Sequence, residues 1–357
     1  MKKKVMVAMS GGVDSSAAAL LLSAAGYDCS GAIMRLYEDR TEPNTCGSLQ
    51  NIEDARSVAN RLEIPFHVFD FMAEFHQNVI CDFIRCYETG LTPNPCIQCN
   101  RHLKFDRFLR GARELGCEYI ATGHYAQIEY DPEIHRWVLS KAADASKDQT
   151  YFLYSLTQDQ LSHTLLPLGG IRKDQARQLA EESGLITARK RDSQDICFVP
   201  DGDYVRFIRE YTGKGYPEGD YLDLSGNVVG RHNGAICYTL GQRKGLGIAL
   251  GAPVYVCAKD MERNTVTVGP NEALFSTTLR ANDWNWILIP ELTEPIQVMA
   301  KARYTQKEQP ATVYPDNNGY ARVVFDTPQR ALTPGQAVVL YHGDRVVGGG
   351  TIREVLP

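Results

Sequence analysis

Through about Thr122, short apolar runs of strand-forming residues alternate with stretches whose apolar positions recur every three or four residues. Residues 5–9, 29–34, 66–69 and 119–122 read as strands, because each is short, continuous and apolar. Residues 15–25, 52–62, 71–88 and 105–116 carry the helical period. Strands separated by helices predict βαβ units, and so an α/β fold with a parallel sheet covered on both faces. Ligands of such sheets bind beyond the carboxyl ends of the strands. Ser10, Met34 and the segment Ala121-Thr122-Gly123-His124-Tyr125 are therefore expected to converge on one crevice. Thr92-Pro93-Asn94-Pro95 is expected to be extended, since its prolines oppose a helix.

Residues 151–199 are again helical in pattern, with a basic patch at Arg189-Lys190-Arg191. Past Asp201 the composition shifts toward glycine and turns. Residues 222–232 and 236–250 read as a small β-rich unit containing the loop Leu240-Gly241-Gln242-Arg243-Lys244-Gly245-Leu246-Gly247. From about Leu279 the pattern is strand-like, over 297–304, 312–315, 321–325, 337–341 and 346–352, with turn signals at Asn318-Gly319 and Gly343-Asp344. A small antiparallel barrel hides the edges of such strands. The expected domains are residues 1–200, 201–278 and 279–357.

A chain of 357 residues is long for one core, and 43% hydrophobic with 23% charged residues is an ordinary globular composition. No apolar run approaches the ~20 residues that span a bilayer. Lys2-Lys3-Lys4 precedes an apolar run, but Ser10-Gly11-Gly12 interrupts it, so no secretory h-region is expected and the cytoplasm is the default location. The net charge of −5 opposes nucleic-acid binding through global charge but leaves room for local basic surfaces.

The first strand runs into Ser10-Gly11-Gly12-Val13-Asp14-Ser15-Ser16 and then a helix. Two glycines allow a sharp turn that brings backbone N–H groups up to a ligand. Serines and Asp14 are N-cap types, and the helix dipole adds positive potential. The loop lacks the Gly-Lys-Ser/Thr of a Walker A motif. It resembles the PP-loop of the ATP pyrophosphatase superfamily, whose members hold the β,γ-pyrophosphate of ATP and attach AMP to a substrate oxygen.

Ten cysteines are many for such a chain, and in a cytosolic setting they read as thiols, ligands or catalytic groups. Cys29, Cys81, Cys86, Cys117, Cys237 and Cys257 read as small buried hydrophobes. Cys96 and Cys99 precede Arg101, His102 and Lys104, and Cys197 follows the basic patch. Polar neighbours make a poor core, and nearby cations favour a reactive thiolate.

From end to end the chain resembles the bacterial tRNA-specific 2-thiouridylases. The matching segments are Ser10 to Ser16, Thr92-Pro93-Asn94-Pro95 with Cys99-Asn100 and Lys104-Phe105, and Ala121 to Tyr125. Further on they are Lys147-Asp148-Gln149-Thr150-Tyr151-Phe152-Leu153, Asp192 to Phe198, Tyr238 to Gly247, and Thr333-Pro334-Gly335-Gln336. The resemblance implies a PP-loop domain (adenine nucleotide alpha hydrolase-like), a small central domain and a C-terminal β-barrel. It implies sulfur insertion at C2 of the wobble uridine of tRNA, driven by ATP with Mg²⁺. Ala8, Met9, Ser10, Gly11, Gly12, Val13, Asp14, Ser15, Met34 and Gly123 would bind the nucleotide. Cys197 would carry sulfur as a persulfide from a donor protein, and Cys99 would be the nucleophile, either attacking the activated base or freeing hydrosulfide from Cys197 by thiol exchange; the sulfur partner would be a donor protein or a sulfide source. Asn94, Pro95 and Cys96 would lie near the target base. Lys147, Asp148, Gln149, Arg303 and Tyr304 would face tRNA.

Better-known members of that family have aspartate where this chain has Cys96. Cys96 and Cys99 thus stand at metal-binding spacing, with Cys197 as a third thiol. Three cysteines would suit a 4Fe–4S cluster with one open iron; zinc or a redox pair are the other readings. His124 is either a strand-end cap or part of the nucleotide site. Arg189 to Arg191 is either a solvated face or an RNA contact, and Arg303-Tyr304 alone would be an ordinary strand pair. Another PP-loop ligase, of the argininosuccinate- or GMP-synthetase kind, and a non-catalytic nucleotide- or RNA-binding module are the alternative functions. Neither needs paired reactive cysteines.

Overall fold

The computed structural model describes residues 2–37, 48–190 and 196–356. Its first sheet has five parallel strands in the order Phe66–Asp70, Asp28–Arg35, Lys4–Ala8, Tyr119–Ala121 and Thr164–Leu165. Alternate residues of the central strand enter opposite cores, as a period of two requires. Val5, Val7 and Met9 pack with Val13, Leu22, Ile52 and Val58 on one side. Met6 and Ala8 pack with Phe75, Phe83, Leu103 and Phe108 on the other. Burial on both faces explains why these strands read as continuous apolar runs.

The strand order reverses direction beside Lys4–Ala8. The first two crossovers step outward to Phe66–Asp70, and the next returns to Tyr119–Ala121 on the opposite side. This switch point opens a crevice at the carboxyl ends of two neighbouring strands.

One local expectation is overturned. Residues 92–94 are non-helical, but Pro95 is not: a helix starts at Pro95 and runs Pro95–Cys99, continuing in π-helical form over Asn100–Arg107 and α-helical form over Phe108–Glu114. Pro95 occupies the first turn, where its missing N–H costs nothing and its fixed φ suits the helix. The helical stretch expected over 71–88 is likewise Met72–Phe75, π-helical His76–Ile80 and Cys81–Glu88.

The second sheet has four strands in the order Tyr255–Asp260, Thr265–Gly269, Gly219–Leu222 and Val228–His232. Residues 236–250, expected to be β-rich, hold no strand; Ala235–Cys237 is a 3₁₀ turn and the rest is loop. The last strands form an antiparallel barrel in the order Phe275–Trp286, Ala321–Arg330, Gln309–Pro315, Ile296–Lys301, Ala337–His342 and Arg345–Leu356. Pairing of Phe275–Trp286 with Arg345–Leu356 closes it. A hairpin of Gln127–Asp131 and Arg136–Ser140 extends this sheet through Ser140 and Arg345, so the barrel is tied to the chain segment that follows the parallel sheet's fourth strand.

Among the described residues, no helix is long and apolar enough to cross a membrane.

Candidate functional site

The Ser10 loop sits at the switch point. Gly11 has φ +71°, and a Cβ there would lie 2.7 Å from the Asn51 carbonyl oxygen, so the turn requires glycine. The helix Val13–Ala24 has Gly12 as its N-cap, with no side-chain cap bond. Its first-turn amides are thus not capped by the serines, contrary to the expectation from residue type. Ser15 and Ser16 instead turn inward, donating from Oγ to the Gly12 carbonyl at 3.1 and 2.9 Å. Ser10 N donates to Ser15 Oγ at 3.1 Å, and Thr187 Oγ1 donates to Ser16 Oγ at 2.8 Å. The hydroxyls hold the loop's shape and leave the helix dipole as the local source of positive potential.

Of the segments expected to converge, the Ser10 loop and Ala121 to Tyr125 meet directly. A Cβ on Gly123 would lie 2.7 Å from the Asp14 carbonyl carbon and 2.8 Å from Ser15 N, so the end of the neighbouring strand lies directly against the loop. Tyr125 donates from its hydroxyl to Asp14 Oδ1 at 2.8 Å. Lys173 Nζ reaches both Asp14 oxygens, at 2.8 and 2.7 Å. Ala8, Met9 and Val13 are buried under the loop, whereas Ser10 is exposed and Gly12 and Asp14 are half-buried. Met9 N donates to the Ala32 carbonyl at 2.7 Å. Met34, half-buried, lies near the end of the adjacent strand opposite Phe69. His124 sits 2.7 Å from Thr122 Oγ1 through Nδ1, and burial, helped by the Lys104 charge, pushes its pKa well down. Its imidazole is therefore neutral at physiological pH.

The basic patch divides. Arg189 is exposed, Lys190 pairs with Asp54 and donates to Asn51 Oδ1 at 3.2 Å, and Arg191 lies outside the described residues. Asp192, Ser193, Gln194 and Asp195 lie outside them as well.

Cys96 is exposed and Cys197 half-buried, but Cys99 is only 7% exposed and belongs to the main apolar cluster. Its polar neighbours in sequence pointed to the surface. The helix that Pro95 starts turns Cys99 and Ile97 inward and leaves Cys96 on the outside. Cys197 packs against the same cluster. The connection runs through the helical run 72–88. Pro95–Cys99 packs on its His76–Ile80 segment, and the ring of Phe198 lies 5.7 Å from Phe75 and 5.1 Å from Phe83. Of the cysteines expected to be structural, Cys29 and Cys117 are buried and Cys81, Cys86, Cys237 and Cys257 are half-buried. Burial and the Asp82 charge push the Cys86 thiol up to about 11, so it stays protonated.

Among the described residues, no three His, Cys, Asp or Glu side chains are gathered so as to hold a metal ion. Cys96, Cys99 and Cys197 therefore do not form the ligand set that their spacing suggested. One thiol faces solvent and another is packed in the apolar cluster, so a 4Fe–4S cluster does not fit this arrangement and no step is routed through one.

The Asn94-Pro95 corner is held from the barrel. Gln336 Nε2 donates to the Thr92 and Pro93 carbonyls at 3.0 and 3.2 Å, and Thr92 N donates to the Pro334 carbonyl at 2.9 Å. A Cβ on Gly335 would lie 2.8 Å from the Thr92 backbone. Asn100 Nδ2 donates to the Phe152 carbonyl at 3.0 Å, joining the cysteine helix to the helix Thr150–Leu153 that follows Lys147-Asp148-Gln149.

Several residues expected to face tRNA are engaged within the protein. Gln149 Oε1 accepts from Tyr125 N at 2.9 Å, and Asp148 accepts from Thr150 Oγ1 at 2.6 Å and Ala142 N at 3.1 Å. Arg303 Nη2 donates to the Ala331 carbonyl at 2.7 Å, to the Leu240 carbonyl at 3.3 Å and to Thr333 Oγ1. Lys147 is half-buried. Tyr304 is exposed, with its ring 4.4 Å from Phe152 and the Lys301 ammonium 5.2 Å from its centre. Lys173, which neither residue type nor spacing singled out, is the residue that sequence reasoning missed at the loop. The available signal was a lysine in the first turn of a helix, where the dipole disfavours it.

Residues 3–201 match the tRNA methyl transferase HUP domain, 205–270 its PRC-barrel domain, and 276–352 the aminomethyltransferase beta-barrel domain. The tRNA-specific 2-thiouridylase MnmA of Clostridioides difficile is 50% identical over 100% of this chain and 99% of its own length. That of Acetivibrio thermocellus is 53% identical, covering 99% of each chain. Among solved structures, an NMN synthetase from Francisella tularensis is similar at 15% identity and a TM-score of 0.36, over 60% of this chain and 79% of that one. With half of its residues identical to those relatives along the full length, the chain belongs to the tRNA-specific 2-thiouridylase family.

Proposed function

We propose that this chain is a tRNA-uridine 2-sulfurtransferase that uses ATP to replace the C2 oxygen of the wobble uridine with sulfur. Full-length identity to 2-thiouridylases carries the reading, and the Ser10 loop at the sheet's switch point supports it. A uracil C2 oxygen is a poor leaving group. In the proposed first step it attacks the α-phosphorus of ATP and expels pyrophosphate, giving a C2 adenylate. Sulfur then adds at C2, the C2–O bond breaks, and AMP departs with the oxygen.

The loop would hold the pyrophosphate by backbone amides and the helix dipole. Mg²⁺ is a hard cation that arrives with phosphates and keeps several waters, so it needs no preformed cage. Asp14, the loop's carboxylate, is already paired through both oxygens with Lys173, so the ion would be held chiefly by the phosphates, where it would neutralise triphosphate charge. Cys99 and Cys197 would transfer the sulfur: Cys197 would receive sulfane sulfur as a persulfide from a donor protein, and the Cys99 thiolate would attack the Cys197 sulfur, break the S–S bond and free hydrosulfide to add at C2, leaving a Cys99–Cys197 disulfide for a thiol reductant to reopen. Cys99 would act as nucleophile, and its burial means the cysteine helix must shift or open to admit the base. Asn94, Pro95 and Cys96 would border the base. Exposed Tyr304 offers a ring for stacking, while Lys147, Asp148, Gln149 and Arg303 would shape that surface. The reading treats the chain as three units, near 1–200, 201–278 and 279–357, and it is supported by the succession of parallel sheet, four-stranded sheet and barrel.

Purified protein given ATP, a persulfide-charged sulfur donor with a thiol reductant, and unmodified tRNA should form 2-thiouridine, detected by mass analysis of nucleosides, and release pyrophosphate. Pyrophosphate release without thiolated nucleoside would favour another PP-loop ligase; ATP binding with neither product would favour a non-catalytic module.

A further inference from the structure

We propose that Lys173 is a phosphate-binding residue of the ATP site, and that Asp14 and Tyr125 position its ammonium at the pyrophosphate end of the Ser10 loop. This rests on the ATP-dependent reading above and adds a residue to it.

The loop itself supplies little positive charge. Its amides and the helix dipole amount to about half an elementary charge, whereas departing pyrophosphate carries several negative ones. Lys173 Nζ lies 2.8 and 2.7 Å from the two oxygens of Asp14, which stands in the first turn of the loop helix. The lysine side chain is 12% exposed, and its ammonium lies 5.9 Å from the centre of the Tyr125 ring. Tyr125 in turn donates to Asp14 at 2.8 Å, so carboxylate and ammonium are both fixed.

Stability does not account for this arrangement. Lys173 opens the helix Lys173–Glu182, and a cation in a first turn opposes the helix dipole. Taking an ion pair largely out of water costs desolvation that its attraction does not reliably recover, and apolar residues of like size serve packing as well. Helices 13–24 and 173–182 already pack against each other. An ammonium kept here at such cost, beside a phosphate-type loop, is explained by an anionic ligand.

The discriminating test is the dependence of affinity on phosphate chain length. Calorimetric titration of the full-length protein with ATP, inorganic pyrophosphate and AMP would be run on wild type, Lys173→Gln and Lys173→Arg, with thermal melts to verify folding. The proposal expects Lys173→Gln to weaken ATP and pyrophosphate binding roughly tenfold to a hundredfold, the range of a lost charge-assisted hydrogen bond. AMP should change less than twofold, and Lys173→Arg should keep most of the affinity. Equal weakening of AMP and ATP, or unchanged ATP binding, would overturn it, since a simple strap between helices would give one of these. Should Lys173→Gln fail to fold, acetylation of wild-type Lys173 followed by mass spectrometry decides: protection by pyrophosphate but not adenosine supports the role, and equal labelling overturns it. A wild type that binds neither ATP nor pyrophosphate would instead remove the ATP-site reading itself.

Discussion

Gln336, on the segment between two barrel strands, donates its side-chain amide to the Thr92 carbonyl at 3.0 Å, three residues before the cysteine helix begins. A second bond to the Pro93 carbonyl at 3.2 Å makes the contact a two-point clamp. Proline and threonine carbonyls ahead of a helix have no intrahelical partner, so the barrel supplies what local structure cannot. Gln336→Ala should therefore lower stability by about 1–2 kcal/mol, the cost of leaving such carbonyls unpaired. It should also lower thiolation while ATP affinity stays within twofold. Chemical denaturation and nucleoside analysis would check this, and a variant with wild-type stability would show the clamp to be idle.

Gly123 gives a sharper constraint on the nucleotide site. An alanine Cβ would lie 2.7 Å from the Asp14 carbonyl carbon and 2.8 Å from Ser15 N, and backbone cannot step aside as a side-chain tip can. Gly123→Ala should displace the start of the loop helix and weaken ATP binding at least roughly tenfold, a typical cost of overpacking. Equilibrium dialysis with labelled ATP measures it; unchanged affinity would mean the loop helix is not the nucleotide's seat.

For the two cysteines the prediction separates chemistry from binding. Cys99→Ser and Cys197→Ser should each abolish 2-thiouridine formation with ATP affinity within twofold of wild type. Normal thiolation in either variant would refute the sulfur-transfer assignment. Cys86, protonated by its high pKa, should be replaceable by serine with activity retained.

The four-stranded sheet carries a pH signature through Lys259 on its strand Tyr255–Asp260. The Lys259 ammonium is buried with no hydrogen-bond partner among the described residues, and burial lowers its pKa from 10.5 to about 8. Between those values the unfolded chain binds more protons than the folded one, so stability from this group rises with pH; below about 8 the full penalty applies. Lys259→Met should stabilise the protein by roughly 1–3 kcal/mol at neutral pH. The gain should shrink as pH climbs from about 8 toward 10.5. Melting temperatures across that range test it; a gain independent of pH would contradict it.

These sites differ in how far the sequence revealed them. The strand of Val5 to Ala8 and the Ser10 turn are local patterns, and the structure places them where those patterns indicate. Barrel strands from Ile296 onward alternate and were legible for the same reason. The twelve-residue strand Phe275–Trp286 was not, because its polar Asn282, Asp283 and Asn285 break the alternation where it bulges against Arg345–Leu356. Pro95 misled because proline forbids a helix interior yet favours a first turn, and only the observed boundary tells which applies. Cys99 misled because its charged neighbours follow on a helix whose opposite side faces the core. The Gln336 clamp and the Lys173–Asp14 pair join segments remote in sequence, and no local pattern encodes such a meeting.

The most direct test follows the oxygen. With tRNA carrying ¹⁸O at C2 of the wobble uridine, each turnover should deliver that ¹⁸O into the phosphate of released AMP, one label per 2-thiouridine formed, with unlabelled pyrophosphate. Label in water or inorganic phosphate, or ADP in place of AMP, would contradict activation of the C2 oxygen by adenylylation.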